Sequence, residues 1–466
     1  MAGDLLERLA ALSVETAYAD LPAPAVRATQ TFLLDTLAVG VAGCTGPWRD
    51  ETLRSALSWG AGGACRILGD GIAAPPATAA FVNAYQMHCL EFDCVHEGAV
   101  AHVMTAVAAA AMAESERALG ERGSNQRGPV DGRRLLLALA LGVEVAAALG
   151  IAATSPLRFF RPATVGVFGA AVAVGVLRSF GSAAIRRCFG HALGQVAGTM
   201  QAHEEGKPAL PLQLGAAARA GIVAADLAGA GVPAPDHALE GRHGYFALFE
   251  TLSDTGGIAR KVGGAWRVTE LSHKPYPSGR ATHGAIDGVL NLRSRGVRPD
   301  NLVAMTLAAP PLIHQLVIRP ARTDMDANYA RLCFAYTGAA ALECGRVGIE
   351  HFTEAELRRP GRLALAGRFA AKVNDTSGPA AFVPQTLTAR LRDGTGRSVR
   401  IDALRGSPDR PLSREELEAK VRSCLSQVYG DDDRTRRLID TVQALPELPD
   451  ARALLDPITD TARARP

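Results

Sequence analysis

The stretch from Asn83 to His102 concentrates titratable side chains just before an apolar, alanine-rich segment. It holds three of the chain's eleven histidines and three carboxylates: His88, Glu91, Asp93, His96, Glu97 and His102. Burying such groups is unfavourable unless they are paired, so a cluster of this kind indicates acid–base chemistry or a closed ion network. Its spacing matches neither H-E-x-x-H nor the usual Cys/His zinc patterns. The pattern therefore favours acid–base chemistry without a metal.

A second group of polar residues lies between His273 and His283. Two prolines and a glycine predict a structured loop, and His283 is expected to begin a helix. A helix N-terminus beside Lys274 and Arg280 would suit a carboxylate or a phosphate. Lys274 carries extra weight because only five of the 50 basic residues are lysines. The alternative interpretation is a rigid interdomain turn with solvated cations.

A third stretch, 206–215, contains Lys207 and Gln213 and is expected to be a proline-stiffened loop leading into a helix. A ligand contact and a plain connector are about equally favoured here.

The elements that must position these residues are mostly helical. From Leu5 to about Gly264, apolar residues recur at spacings of three and four, and the small residues of Ala163–Arg178 and Ala216–Ala230 predict closely packed central helices. The polar, glycine-rich stretch 121–133 is expected to be an exposed loop. We therefore assign residues 1–264 to a helical domain.

Strand patterns begin after Trp266. Leu302–Leu307 is predicted to be a strand, and Gln385–Arg390 with Ser398–Ala403 to be a hairpin around Asp393-Gly394. Helices are expected at 284–292 and 330–342. These elements define an α+β lid domain at 265–407. A capping box at Ser413 and Glu416 opens a helical return at 408–466.

Composition restricts the classes of function. Basic and acidic residues nearly balance (50 against 47), and no basic stripe interleaves with aromatics, which argues against a nucleic-acid partner. Eight scattered cysteines without a CxxC pair favour a reduced, cytoplasmic protein. The longest apolar run, Leu135–Ile151, is interrupted by Glu144, so we expect a buried helix rather than a membrane span.

Together these residues resemble the MmgE/PrpD family over nearly the whole chain. The family's N-terminal pattern is matched by Asn83, His88, Glu91-Phe92-Asp93, His96 and His102, and its KPYPxxxxTH loop by Lys274–His283. The resemblance implies a helical domain made from both chain ends, an α+β lid, a homodimer, a small carboxylate substrate, and no metal or organic cofactor.

The resemblance also implies roles for individual residues. Asp93 and His102 match the family's acidic and histidine active-site positions, Lys274 matches its lid-loop lysine, and Tyr336 matches an aromatic position near the site. We assign these four to catalysis: His102 as the acid–base group, Asp93 as its orienting partner, Lys274 in anchoring and stabilising the anion, and Tyr336 as a second proton donor. Substrate binding is assigned to Arg280, His283, His96, Lys207 and Gln213.

The implied activity is proton removal next to a carboxylate by a lyase of the dehydratase or decarboxylase type. An epimerase or isomerase of a substituted dicarboxylate is the alternative, because Leu210 and Gln213 stand where the lyase branches carry Lys and His. A non-catalytic, ligand-binding member of the family is the third possibility.

Overall fold

The computed structural model describes residues 4–117, 128–378, 380–430 and 433–459. It is 57% helical with small sheets, which confirms a mainly α protein with an α+β portion. Residues 121–127 of the expected exposed loop lie outside the described residues.

The first 264 residues form twelve α-helices within the described range and a two-stranded antiparallel pair, β1 (Cys65–Arg66) and β2 (Ala73–Ala74). The helices are α1 (Leu5–Glu15), α2 (Ala23–Ala42), α3 (Arg49–Leu57), α4 (Pro76–His88), α5 (Val103–Arg117), α6 (Gly132–Ala152), α7 (Arg161–Leu177), α8 (Ser182–Leu193), α9 (Gln201–Glu205), α10 (Ala209–Gly229), α11 (Tyr245–Phe249) and α12 (Thr255–Ala259).

Small residues let the central helices approach closely. A Cβ atom added to Gly142 of α6 would lie 2.8 Å from the carbonyl oxygen of Gly169 in α7, so a larger residue would push these helices apart. By length and composition α6 is apolar enough to cross a membrane, but 89% of its apolar window is buried inside the protein. Burial of this kind is typical of a core helix.

The α+β portion contains a four-stranded sheet in the order β4-β3-β5-β6, in which β3 and β4 are parallel and the other pairs antiparallel. Its strands are β3 (Leu302–Ala309), β4 (Phe369–Val373), β5 (Gln385–Leu391) and β6 (Gly396–Ile401). Its helices are α13 (His283–Ser294), α14 (Pro311–Val317), α15 (Ala327–Arg331), α16 (Phe334–Cys344), α17 (Glu354–Leu357) and α18 (Pro360–Ala366). The predicted strand, the hairpin and the helix beginning at His283 are confirmed.

The C-terminal residues return to helix. The predicted capping box is present, with Ser413 and Glu416 opening α19 (Arg414–Tyr429), followed by α20 (Arg434–Gln443) and a 3₁₀ helix at Ala451–Ile458. Apolar residues of α19, α20 and the 3₁₀ helix join the same core cluster as those of α1–α10, whereas residues from Tyr276 to Leu404 form most of a second cluster. The domain boundaries at 264 and 407 stay a prediction.

Two sequence predictions need correction. The stretch 206–215 is not a loop throughout, because α10 begins at Ala209, with Pro208 at its N-cap and Pro211 in its first turn, where proline is tolerated. The helix expected at 330–342 is interrupted, since α15 ends at Arg331 and α16 begins at Phe334.

Candidate active site

The 83–102 segment leaves α4 after His88 and runs irregularly along the core until α5 begins at Val103. Asn83 fixes its start by accepting from the Leu68 amide and donating to the Arg66 carbonyl, both at 3.0 Å. Glu91 then adopts a left-handed backbone conformation, with φ at 51°. Such a conformation is strained for a residue with a side chain, and strain of this kind tends to occur at functional sites.

Asp93 lies at the centre of the cluster and is fully buried. Its Oδ1 atom is 3.0 Å from Nδ1 of His88, and its Oδ2 atom is 3.1 Å from Nδ1 of His102. Oδ2 also accepts a 2.6 Å hydrogen bond from the Thr105 hydroxyl. The Nδ1 atom of His102 lies 3.0 Å from the Cys94 carbonyl oxygen as well. One carboxylate therefore orients both imidazole rings.

Burial and neighbouring charges shift the pKa values of Asp93, His102 and His88 in different directions. Burial alone would raise the pKa of Asp93, but His102 and His88 hold it well below its usual value. Burial lowers the pKa of His102, and nearby Lys274 contributes in the same direction. For His88, burial opposes protonation, yet Asp93 and Glu91 raise its pKa. The arrangement thus holds a carboxylate at Asp93 and a neutral imidazole at His102.

Lys274 connects the 273–283 loop to this cluster. Its Nζ atom donates to the side chain of Glu91 at 2.9 Å and to the Glu91 carbonyl oxygen at 3.1 Å, and it lies 3.9 Å from Asp93. Burial would raise the pKa of Glu91, but Lys274 and His88 lower it to about 2. Lys274 is completely buried and does not line the neighbouring cavity, whereas its partner Glu91 does.

That cavity, of about 80 Å³, is lined by residues of both core clusters. Its titratable lining residues are Glu91, His102, Arg161, His203 and Arg280. Its apolar wall includes Phe160, Met200, Leu210, Leu332 and Phe382. An apolar wall with a few convergent polar groups is the lining typical of a ligand site.

Both arginines at the cavity are already paired with carboxylates. Arg280 contacts Glu97 through Nε at 2.8 Å and donates through Nη1 to the Arg405 carbonyl oxygen at 2.8 Å. Arg161 lies 3.4 Å from Glu250, and its Nε atom is buried without a hydrogen-bond partner. Each arginine is therefore held in place and presents a positive charge at the cavity wall.

The two predicted substrate-binding histidines, His283 and His96, do not line the cavity. His283 is fully buried, with Nε2 3.1 Å from the Ser278 carbonyl oxygen and Nδ1 3.4 Å from Nη1 of Arg280. Burial and the charge of Arg280 hold its pKa well below the usual value. His96 pairs with Glu270 at 2.9 Å. Both side chains brace the loops that carry other site residues.

The structure does not bring the remaining predicted residues to the cavity lining. The Tyr336 hydroxyl donates to the His351 carbonyl oxygen at 2.6 Å within the second core cluster. Lys207 is exposed at the turn before α10. Gln213 donates to the Thr199 carbonyl oxygen at 3.2 Å and also accepts from the Thr199 amide, so it secures the preceding loop.

Sequence reasoning missed two titratable lining residues and treated Glu91 only as support. His203 lies in α9, and burial with the charge of Arg319 lowers its pKa to about 4. Arg161 begins α7. Leu210, which the sequence did single out, lies in the first turn of α10 and lines the cavity. No local motif marks His203 or Arg161, because tertiary packing alone brings them to the cavity.

One subset of the cluster also has the composition of a metal site. Ligand atoms of His88, Glu91 and His102 lie within 4.8 Å of one another.

The fold and the cavity define a mainly helical protein with buried titratable groups beside a small pocket lined by residues of both core clusters. The chain belongs to the MmgE/PrpD family: the MmgE/PrpD N-terminal domain matches residues 7–256, and the MmgE/PrpD C-terminal domain matches residues 276–445.

Several curated relatives cover almost the whole chain at low identity. Human cis-aconitate decarboxylase is 26% identical over 92% of this chain and 89% of its own length. Cis-aconitate decarboxylase of Aspergillus terreus is 25% identical, covering 94% and 92%. A cis-aconitate decarboxylase-like protein of Aspergillus oryzae is 24% identical, covering 97% of each chain.

Proposed function

We propose that the protein is a cofactor-independent lyase that removes a proton or CO₂ next to a carboxylate of a small di- or tricarboxylate. The observation that carries this proposal is the Asp93–His102 pair, which presents an oriented imidazole to a cavity also lined by Arg161 and Arg280. The decarboxylase names of the relatives support the same class of reaction.

His102 is the acid–base group in this proposal. Its Nδ1 atom faces two acceptors, Asp93 Oδ2 and the Cys94 carbonyl oxygen, so the proton of the neutral ring belongs on Nδ1. Nε2 is then left as the basic nitrogen of a residue that lines the cavity. Asp93 stabilises the imidazolium that forms when Nε2 takes a proton. The His102 ring becomes neutral again when that proton is returned.

Negative charge that builds on the substrate carboxylate needs fixed positive charge nearby. Arg280 and Arg161 supply it at the cavity wall, where apolar neighbours strengthen electrostatic interactions. Their carboxylate partners and backbone acceptors hold both guanidinium groups in position before the substrate arrives. Lys274 acts through Glu91 in this arrangement and is assigned as a positioning residue.

The test is a product analysis on the full-length protein. Purified protein is incubated in D₂O with cis-aconitate and a panel of other di- and tricarboxylates, and the products are followed by NMR. Loss of CO₂ or water, abolished by His102→Gln, supports the lyase. If no member of the panel reacts or exchanges hydrogen for deuterium while binding is still detected, the protein is a non-catalytic ligand-binding member of the family.

A second candidate is an epimerase or isomerase of a substituted dicarboxylate. It is favoured by Leu210, which places an apolar side chain in the cavity wall where the lyase branches of the family carry lysine. Proton removal by His102 would be shared, but the proton would return to the substrate. Deuterium in recovered substrate or in its epimer, without loss of CO₂ or water, would support this reaction instead.

A further inference from the structure

The two imidazole rings beside Asp93 lie close enough to share a ligand. The ring centroids of His88 and His102 are 4.5 Å apart, with an interplanar angle of 65°. A carboxylate oxygen of Glu91 completes a group whose ligand atoms all lie within 4.8 Å of one another. Two imidazoles and one carboxylate form a protein ligand set that zinc adopts at open sites.

One ring nitrogen of His88 lacks a hydrogen-bond partner at this site. Its Nε2 atom is buried and has no hydrogen bond of acceptable geometry, although it lies 3.3 Å from Oε1 of Glu91. In a tetrahedral zinc site with bonds of about 2.0–2.1 Å, neighbouring ligand atoms are about 3.3 Å apart. This pair already has the required separation, and the ligand atom of His102 lies within 4.8 Å of both.

The surrounding contacts fix the two imidazoles as metal ligands are usually fixed. Nδ1 of His88 and Nδ1 of His102 each contact Asp93, at 3.0 Å and 3.1 Å. A carboxylate on the second ring nitrogen orients a metal-binding histidine and increases its basicity. Thr105 in turn holds the Asp93 carboxylate at 2.6 Å. Asp93, itself held by Thr105, therefore fixes the orientation of both imidazole rings.

Lys274 is the nearest competing cation, and the geometry separates it from the ligand atom. Its Nζ atom contacts Oε2 of Glu91 at 2.9 Å, whereas Oε1 is the atom that faces His88. Glu91 can thus contact the ammonium group with one oxygen and a metal ion with the other.

We propose that His88, Glu91 and His102 bind a divalent transition-metal ion of the zinc type, with the cavity supplying the open coordination position. The ion binds imidazoles in their neutral form, so its affinity should fall as the pH is lowered. Because His102 is the proposed acid–base group, occupancy by the ion and turnover exclude each other. The ion is an inhibitory ligand of the site, and its binding is measurable whether or not a substrate is known.

The experiment uses chelator-treated full-length protein titrated with Co²⁺, followed by its visible absorption, and with Zn²⁺, followed by calorimetry. We expect one ion per chain and a loss of affinity of at least about tenfold in His88→Gln and Glu91→Gln. The matched control is His203→Gln, which removes an imidazole from the same cavity but not from the ligand set. It should keep wild-type affinity.

A spectroscopic measurement on the unmodified protein guards against variants that misfold. X-ray absorption of the Zn²⁺ form should show nitrogen and oxygen neighbours at about 2.0–2.2 Å and no sulfur at about 2.3 Å. The proposal is overturned if the wild type binds no stoichiometric ion, if folded His88→Gln and Glu91→Gln retain wild-type affinity, or if sulfur ligands dominate the spectrum.

Discussion

Two buried lysines in this protein have similar partners but different surroundings. Lys274 pairs with Glu91 at 2.9 Å, and Lys420 pairs with Asp35 at 2.6 Å. Each ammonium group also donates to a carbonyl oxygen of the same irregular segment, that of Glu91 at 3.1 Å and that of Phe92 at 2.8 Å. By residue type, burial and pairing, the two sites are nearly equivalent.

The difference lies in what else each carboxylate contacts. Burial raises the pKa of Asp35 because Lys420 compensates only in part. Burial acts in the same direction on Glu91, yet Lys274 together with His88 lowers its pKa to about 2. Glu91 lines the cavity, whereas Asp35 and Lys420 do not. Buried charge alone therefore does not identify a site; additional titratable partners and contact with a cavity do.

The largest effect is expected for His102→Gln, which changes a residue that lines the cavity. Removing the basic nitrogen should lower kcat by about 10²–10⁴-fold while the protein stays folded. Turnover of the substrate found in the carboxylate panel is measured together with circular dichroism. The exposed His243→Gln is the control and should retain wild-type kcat. A His102→Gln variant within about threefold of wild type would remove His102 from the acid–base role.

The opposite result is expected for Lys420→Met. Breaking a buried pair leaves Asp35 without its cation, so the free energy of unfolding should fall by about 3–5 kcal/mol. The protein that remains folded should turn over at the wild-type rate, because Lys420 does not line the cavity. Denaturant unfolding and kcat per folded molecule are compared with those of the exposed Lys261→Met. Loss of kcat without loss of stability would invalidate the distinction between the two lysines.

The pH dependence of stability should depend on His273, a buried imidazole whose pKa Lys420 helps to lower. His273 stacks on Phe32 at 4.2 Å, and burial together with Lys420 lowers its pKa from 6.5 to about 3. The unfolded chain therefore takes up a proton near pH 6.5 that the folded protein does not, and stability is lost as pH falls from 6.5 towards 3. His273→Gln should reduce this slope by up to about 1.4 kcal/mol per pH unit.

Unfolding curves at several pH values between 3.5 and 7, run beside the exposed His243→Gln, provide the measurement for His273. An unchanged slope in His273→Gln would mean that other groups determine acid sensitivity.

Local signals explain what the sequence predicted correctly about the fold. The strand at Leu302, the hairpin around Gly394 and the Ser413 capping box depend on neighbours within a few residues, and all are present. Strand β4 was missed because its parallel partner β3 is about 60 residues away. The early start of α10 was missed because Pro211, usually a helix breaker, occupies the first turn.

The residues of the candidate site also differ in whether a local sequence pattern marks them. Asp93 and His102 could be singled out as candidates because they share one short segment with matching spacing. His203 and Arg161 come from other elements, and only the packed chain places them beside His102. For Lys274 the sequence indicated importance but not its partner, since the pairing with Glu91 joins residues 183 positions apart.

Tyr336 extends the comparison to a buried polar group that lies in the second core cluster. Its hydroxyl donates to the His351 carbonyl oxygen at 2.6 Å and accepts from Arg362 at 3.2 Å. Tyr336→Phe should therefore lower the free energy of unfolding by about 1–3 kcal/mol and leave kcat nearly unchanged. Thermal unfolding and turnover decide the point. A loss of kcat of about 10²-fold would instead restore Tyr336 as a proton donor.

Lys207 is neither buried nor part of the cavity lining. It is exposed at the turn before α10, whereas Leu210, one helical turn later, lies in the cavity wall. Lys207→Ala should therefore change the free energy of unfolding by less than about 0.5 kcal/mol. Turnover and KM should stay within about twofold, since an exposed cation is largely screened by water and salt. A larger rise in KM, with kcat unchanged, would mean that the loop carrying Lys207 moves to bind substrate and supplies the positive charge that Leu210 lacks.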